Sequence, residues 1–315
     1  MAKQAGLGDN LYYNGFDVSG SILSVDKISG GPTLLDTTNI KQSANSRIGG
    51  KRDGSMSFTS WLETIATVAT PGVPASTTPL VSTINQPVQV TITGGTMSNV
   101  VINGSSVGAG AGTYTLPALG TITLTYTVAP TWNWFSLGVA HQAFSPLVRT
   151  DSSAMYFRGT TLGNPSCCCV AKQDNYDVTR DNTGSITAKI DIEANGFGIE
   201  WGRMLTAGLR TDNGATTGSF FDLGASSAFG CQAYLQLVEL VGTNVDVTIT
   251  HATTSGGSYT TLVDFGSQTA IGGYRIATAN NVTVNEFVKV VTAGTFTQAI
   301  FAVTFVQNPI AGQVF

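Results

Sequence analysis

No Lys, Arg, Asp or Glu occurs from Thr70 to Thr131, although the chain on both sides carries charges of both signs. Residues 1–69 hold six positive and six negative groups, and residues 132–215 hold seven and eight. The uncharged stretch opens with "TPGVPASTTP", whose prolines resist both helix and strand pairing. This contrast indicates a small domain inserted into a loop of its host.

Inside the uncharged stretch, apolar and polar side chains alternate through residues 88–93 and 122–128. Alternation with a period of two is typical of half-buried strands. The segment "VVINGSSV" places Asn103-Gly104 between apolar runs, which is a strong signal for a hairpin turn. Residues 70–131 are therefore predicted to form a small, Ig-like β-sandwich.

The two flanks, residues 1–69 and 132–215, are predicted to form one discontinuous β-domain. Its clearest strand is "SITAKIDIEAN" at 185–195, where Ile and Ala alternate with charged or polar residues. An apolar stripe predicts a helix near 136–148, and Pro146 limits its end. A shorter helical turn is predicted through "TTNIKQSANSRI", ending before Gly49.

Residues 216–315 are predicted to form a third, C-terminal unit. The segments "VDVTITH", "SYTTLVDF", "EFVKVVT" and "AIFAVTFV" read as strands, and "TSGG" and "TAGT" read as turns between them. Spacing of roughly ten residues favours a sandwich or jelly roll. The predicted class is therefore all-β, with one or two short helices.

Composition excludes several classes of function. Charged residues make up 11% of the chain and the net charge is −4, without a basic stripe, so tight binding to nucleic-acid phosphates is not expected. The N-terminus lacks the apolar core of a signal peptide, and no apolar run is long enough to span a membrane. The sequence thus predicts a protein made in a reducing cytosol.

The run Cys167-Cys168-Cys169 raises the question of a metal or redox site. Adjacent side chains on a strand point to opposite faces, so three neighbouring thiolates do not converge on one tetrahedral metal. A disulfide between neighbours is strained. A buried core strand is the preferred interpretation, with an accessible thiol or a metal ligand as alternatives. No cofactor and no metal is predicted.

Few residues suggest catalysis. His141 and His251 lack carboxylate or nucleophile partners at obvious spacing. Asp191 and Glu193 share a strand face, as glycosidase acids do, but a solvated face explains them equally well. Trp132 and Trp134 are best explained by packing at the domain junction, with a sugar platform as the alternative. The sequence therefore predicts that the protein is not an enzyme.

Several phrases resemble a known family of virion proteins. "GLGDNLYYNGFDVSG", "RIGGKRDGSMSF", "YFRGTTLGNP", "ANGFGIEWG" and "LTAGLRTD" are similar to the major tail, or tail tube, protein of long-tailed bacteriophages of actinobacteria. The phrases fall in residues 1–69 and 132–213, the two halves of the predicted discontinuous domain. The insert and the C-terminal unit resemble β-domains that such proteins carry outside the tube.

The resemblance implies a structural subunit that assembles with itself into stacked, hexameric rings. The inner strands of each ring would close into a continuous barrel through which genomic DNA passes without specific binding. Implied partners are other tail proteins, namely the tape measure, the tail terminator and the baseplate, and no membrane. The implied location is the virion tail, after assembly in the cytoplasm of the host bacterium.

Within this interpretation, Lys189, Asp191 and Glu193 are candidates for residues that face the lumen. They share the polar face of a strand whose other face is aliphatic, so they must meet water, which in a tube could be the channel. The alternatives are another virion role, such as capsid decoration or an accessory tail protein, and a carbohydrate-binding adhesin that acts through the outer β-domains with Trp132 and Trp134.

Overall fold

The computed structural model describes residues 8–38, 47–62, 66–84, 88–117, 120–136 and 138–310. These residues are almost entirely β, with strands arranged in antiparallel sheets and one short helix, so the predicted fold class is confirmed. No helix within the described ranges is long and apolar enough to cross a membrane.

The strands before the helix are β1 (Asp9–Tyr13), β2 (Phe16–Asp17), β3 (Ile22–Asp36), β4 (Arg47–Trp61), β5 (Ala66–Thr67), β6 (Pro79–Val81), β7 (Val88–Thr93), β8 (Thr96–Ile102), β9 (Ser105–Gly108), β10 (Gly112–Leu116), β11 (Thr121–Val128) and β12 (Thr131–Ser136). The helix and the later strands are α1 (Val139–Phe144), β13 (Ser152–Arg158), β14 (Pro165–Arg180), β15 (Ile186–Ala194), β16 (Glu200–Met204), β17 (Arg210–Asp212), β18 (Thr216–Thr217), β19 (Phe221–Asp222), β20 (Cys231–Ala252), β21 (Thr260–Gln268), β22 (Gly272–Ala277) and β23 (Phe287–Gln307).

One large sheet contains fifteen strands from both ends of the chain. Its main path runs β2-β1-β13-β14-β16-β23-β20-β21, and a branch runs from β14 through β15 and β4 to β3. β16 joins the first part to the last, because Cys167 pairs with Trp201 on one side and Arg203 pairs with Phe305 on the other. The division into three domains stays a prediction, since strand pairing does not show which parts fold independently.

β15 shows how the sequence period builds the core. Ala188, Ile190 and Ile192 are fully buried, whereas Lys189 and Glu193, which alternate with them, are exposed. The buried side chains join an apolar cluster that includes Met56, Phe58 and residues of β1, β13, β14 and α1. The alternation predicted for 185–195 is confirmed.

A second cluster lies on the other face of this sheet. It contains Tyr12, Met155, Phe157, Cys168, Met204, Tyr234 and Ala302. Buried hydrogen bonds connect β20 to the strands at the start of the sheet. Gln236 accepts a hydrogen bond from the Gly15 amide at 2.8 Å and donates to the Ser153 carbonyl at 2.8 Å. Gly15 has a φ of +85°, and a Cβ at this position would clash with Gly272, so the turn after β1 must be glycine.

A buried ion pair between Glu200 and Arg275 connects β16 to β22 on this side of the large sheet. The Arg275 guanidinium donates to both oxygens of Glu200, with Nε at 2.8 Å from Oε2 and Nη2 at 2.9 Å from Oε1. The Tyr234 hydroxyl also donates to Glu200, and Arg275 lies over the Phe197 ring at 3.7 Å. Bidentate geometry and a full set of partners compensate for the cost of burying two charges.

The small sandwich, residues 66–136, consists of two four-stranded sheets, β10-β7-β12-β5 and β6-β11-β8-β9. Its own apolar cluster includes Val88, Val90 and Ile92. The predicted turn at Asn103-Gly104 is confirmed, since both residues have positive φ and they join β8 to β9. Ala66 pairs with Ser136, so the chain enters and leaves the small sandwich on adjacent strands.

The last part of the chain is dominated by β20 and β23, which are 22 and 21 residues long and pair along nearly their whole length. "EFVKVVT" and "AIFAVTFV" therefore belong to one strand, and the predicted turn at "TAGT" is wrong. β-bulges near Gly242 shift the register, and Gly294 has a positive φ, so the two strands stay paired through this irregular stretch. "TSGG" does form the turn before β21.

The predicted helix near 136–148 is present but shorter, at Val139–Phe144. Ala140 and Phe144 are buried as predicted, whereas Leu147 is 51% exposed and has a φ of +47°, so it does not continue the stripe. The turn predicted through residues 37–48 lies mostly outside the described residues, and its last residues, from Arg47, belong to β4 instead.

All three adjacent cysteines are fully buried in β14. Cys167 and Cys169 point into the cluster beneath α1, and Cys168 points into the cluster on the opposite face, as alternation predicts. Burial raises the pKa of all three thiols, to about 12 for Cys169, so they stay protonated and inert at neutral pH. The interpretation as a core strand is confirmed.

Candidate assembly surface

The candidate residues Lys189, Asp191 and Glu193 lie on the polar face of a four-stranded sheet. This open-edged sheet consists of β3, β4, β15 and residues 172–180 of β14, with β3 and β14 at its two margins. Its other face covers the apolar cluster beneath α1. The structure therefore gives the three residues one solvated face, as the sequence predicted, and nothing in it tests whether that face lines a channel.

Charges on the polar face are balanced across the strands. Lys189 pairs with Asp177 on β14 in the sheet register, and Glu193 pairs with Lys172. Within β15, the Lys189 ammonium lies 3.7 Å from the Asp191 carboxylate. Opposite charges at paired positions stabilise a sheet modestly and leave the face with little net charge.

Asp191 is the most tightly held carboxylate of this face. Its backbone amide donates to the Asn175 side chain at 2.8 Å, and the Asn175 amide group donates back to its carboxylate. Burial raises the pKa of Asp191, but hydrogen bonds from Ser57 and Asn175 and the Lys189 charge lower it by more, so the net pKa lies below the ordinary value. Asp191 therefore stays ionised at neutral pH.

Both margins of the open-edged sheet lack a neighbouring strand within the described part of the chain. β3 pairs only with β4 along its 15 residues. β14 pairs with β13 only as far as Ala171, and beyond that point only β15 pairs with it. An unpaired strand edge presents backbone donors and acceptors that another chain can take up.

Exposed apolar side chains flank both margins. Leu23 and Leu34 on β3 are 52% and 61% exposed, and Val178 on β14 is 51% exposed. An apolar side chain beside an open strand edge adds burial to any pairing that forms there. The two margins of one sheet thus have the features of complementary contact surfaces.

The tryptophans that the sequence suggested as a sugar platform have a structural role. Trp132 and Trp134 are 6% and 1% exposed and pack edge to face in the core of the small sandwich, so they offer no platform for a sugar. The Trp132 ring nitrogen donates to the Pro71 carbonyl at 2.8 Å. This rules out the sugar-platform alternative at "TWNWF" and leaves packing, because both rings face the core of the small sandwich.

The two histidines also have local roles. His141 on α1 lies 2.9 Å from the Tyr176 hydroxyl, which attaches the helix to β14. His251 accepts a hydrogen bond from the Asn285 amide at 3.1 Å, and burial lowers its pKa. Among the described residues, no three His, Cys, Asp or Glu side chains come together as metal ligands would.

Sequence reasoning missed the length of β3 and the exposure of Trp201. The segment "SGGPT" in β3 reads as a turn, and no local signal shows that strands as long as β3 and β4 pair through it. Trp201 is 58% exposed on β16, where its chain neighbours are the buried Glu200 and the half-buried Gly202. Its exposure depends on strands that lie far away in the sequence.

Comparisons with known proteins give no family. No protein-family model matches the chain, and no curated protein matches it significantly. One solved structure that aligns is the Dit protein of phage SPP1, described as a paradigm of the hub adsorption apparatus in phages that infect Gram-positive bacteria. It has a TM-score of 0.28 and 8% identity over 95% of this chain and 99% of that chain, which does not establish a shared fold.

Proposed function

We propose that the protein is a non-catalytic structural subunit of a phage tail tube, which assembles with itself into stacked rings. The observation that carries the proposal is the open-edged sheet, whose two long margins have no neighbouring strand among the described residues and are flanked by exposed apolar residues. If β3 of one copy pairs with residues 172–180 of β14 in the next, each added copy continues the sheet. A head-to-tail contact of this kind closes into a ring when the rotation per copy permits.

The polar face supports the same proposal. In a ring that buries the apolar cluster in its wall, Lys189, Asp191 and Glu193 would face the central channel. Their charges are balanced within the sheet, so the channel would neutralise few DNA phosphates and DNA would slide without specific binding. One of the phrases that resemble tail tube proteins, "RIGGKRDGSMSF", lies in β4 of the open-edged sheet, and the virion tail is the location that the phrases suggest.

Electron microscopy of the purified full-length protein tests the proposal. We expect rings that stack into hollow tubes, and in a reconstruction of the tube we expect Lys189 to lie on the inner wall. Monomers or trimers at all concentrations would contradict a tube and favour another virion role, such as an accessory tail protein. A tube with Lys189 on its outer wall would refute the assignment of the lumen face while leaving the tube itself intact.

A further inference from the structure

Trp201 is the most exposed tryptophan among the described residues, at 58%. It lies on β16, in the middle of the large sheet, and belongs to neither margin of the open-edged sheet. A solvent-exposed indole at a concave site is an unusual cost for a folded chain and is typical of a binding surface.

The Trp201 groove, about 760 Å³ in volume, is lined by residues from the first and last parts of the chain, among them Gly163, Trp201, Arg203, Phe221, Asp222 and Gln307. Its volume lies within the range of about 300–1,000 Å³ that is typical of small-molecule sites. The Phe221 ring packs directly on Gly163, whose φ of +84° and lack of a Cβ allow that contact. Aromatic rings and glycine backbone thus form the walls.

The rim of the groove carries three polar side chains with free hydrogen-bonding capacity. Arg203 donates to the Gly163 carbonyl at 3.3 Å, Asp222 accepts from the Gly224 amide at 2.7 Å, and Gln307 donates to the Ala225 carbonyl at 2.9 Å. Each contact uses only part of the group's capacity. Neither Arg203 nor Asp222 forms an ion pair with any described residue.

We propose that the Trp201 groove binds a neutral saccharide about the size of a disaccharide. The C–H face of a pyranose ring is slightly positive and stacks on the negative face of the Trp201 indole. Asp222 and Gln307 can accept from hydroxyl groups while Arg203 donates to them. An acidic sugar would meet Asp222 and an amino sugar would meet Arg203, so the mixed rim favours an uncharged ring.

A second copy of the chain fits the groove less well. Protein interfaces are depleted in Asp although they are enriched in Arg, and this groove is lined by Asp222 as well as Arg203, so a partner chain would have to cover a carboxylate. A hydrated, hydroxyl-rich ligand satisfies both charges without requiring a partner residue for each. Trp201 also lines a smaller cavity with Gly30, Gly31 and Pro32 beside the β3 margin. The proposal nevertheless does not depend on the tube, because sugar binding is measured on free subunits.

Saturation-transfer NMR on the full-length protein tests the proposal, because it detects weakly bound sugars on free subunits and on large assemblies alike. The probes are maltose, cellobiose, lactose and N,N′-diacetylchitobiose. We expect saturable transfer to at least one of them, loss of transfer in Trp201→Ala and unchanged transfer in the control Trp61→Ala, another exposed tryptophan. Asp222→Asn keeps the shape of the groove and should weaken binding about tenfold.

Circular dichroism shows whether each variant is folded, and if Trp201→Ala is not, the Asp222→Asn titration decides. Absence of transfer from all four sugars, or transfer that survives Trp201→Ala, would overturn the proposal. Transfer to free subunits that disappears when they assemble would show that a second copy covers the groove, which also overturns it. Failure of this proposal on free subunits leaves the tube proposal untouched, because tubes are detected separately by electron microscopy.

Discussion

The open-edged sheet and the small sandwich are both antiparallel β-structures with their own apolar clusters, but they end differently. The small sandwich is bordered by β5, β6, β9 and β10, which are 2, 3, 4 and 5 residues long. The open-edged sheet is bordered by β3, with 15 residues, and by the second half of β14. Short edge strands are a common protection against unwanted pairing, whereas long ones invite it.

Surface chemistry separates the two regions further. Exposed valines occur on both, at Val178 in β14 and at Val81 and Val107 in the small sandwich, so apolar exposure alone does not mark an interface. What differs is whether such a residue lies beside a long, unpaired edge. If the proposed function is correct, assembly depends on the open-edged sheet and the small sandwich is an appendage.

The largest effect is expected from a charge placed on an open margin. Val178→Lys should abolish rings and tubes, because an unpaired ammonium would be buried if a second strand paired there. Val107→Lys, at a similarly exposed valine of the small sandwich, should assemble normally. Electron microscopy and sedimentation measure assembly, and thermal unfolding should show that each change alters subunit stability by less than about 0.5 kcal/mol.

If Val178→Lys still forms tubes, β14 is not a contact edge. If Val107→Lys also fails to assemble, the small sandwich takes part in the contacts and the contrast between the regions is lost. A Val178→Thr variant, which keeps the shape without the charge, should assemble and so separates an electrostatic effect from general sensitivity of the position.

A substitution in the buried ion pair should destabilise the large sheet and leave the stability of the small sandwich unchanged. Glu200→Gln leaves the Arg275 charge buried without a counter-charge, which typically costs about 3–5 kcal/mol. Hydrogen exchange should show faster opening of β15 and β16 and unchanged protection of β7. The control Lys172→Gln, at the exposed pair with Asp151, should change neither. Equal loss of protection in β7 would mean that the two regions unfold together.

The sequence predicted features that depend on neighbouring residues. The alternation of β15, the hairpin at Asn103-Gly104 and the burial of Cys168 follow from a period of two and from turn chemistry. It did not predict the length of β3, the continuity of β23 or the burial of Glu200. Each of these depends on pairing between strands far apart in the chain, which no local pattern encodes.

The candidate site was predictable only where the pattern within a single strand reveals it. The polar face of Lys189, Asp191 and Glu193 can be read from one strand, so its residues were identified correctly as sharing one solvated face. The open margins cannot be read in this way, because an edge is defined by the absence of a partner in the whole sheet. Packing was the preferred interpretation of Trp132 and Trp134, but the sequence placed it at the domain junction, because alternation does not say which face of a strand is inside.

Acid should lower the stability of the rest of the chain more than that of the small sandwich. The pKa of Asp191 is lowered in the folded state, and hydrogen bonds from Lys172 and Thr183 lower the pKa values of Asp151 and Asp181. A lowered folded pKa stabilises the fold at neutral pH, and this contribution is lost as the pH falls below the unfolded value of about 3.9 toward the folded one. The uncharged stretch contains no Asp, Glu, His, Lys or Arg, so it lacks this dependence.

Hydrogen exchange between about pH 7 and pH 3, corrected for intrinsic rates, should therefore show loss of protection in β15 before any change in β7. Asp191→Asn should reduce the acid response of β15 and leave β7 unaffected. Simultaneous loss in both strands at low pH would indicate that the small sandwich depends on its host for stability.

The smallest effect is expected from removing the small sandwich altogether. Ala66 and Ser136 are paired neighbours, so deleting residues 67–135 and joining the ends with a short Gly/Ser linker requires little movement of the rest of the chain. The deletion takes Trp132 and Trp134 with it, because both belong to the apolar cluster of the small sandwich rather than to that of the host. The open-edged sheet keeps β3, β4, β15 and its half of β14, and we expect the shortened protein to form tubes of smaller outer diameter and the same inner diameter in electron micrographs. A shortened protein that is soluble and folded yet never polymerises would place the small sandwich in the assembly interface.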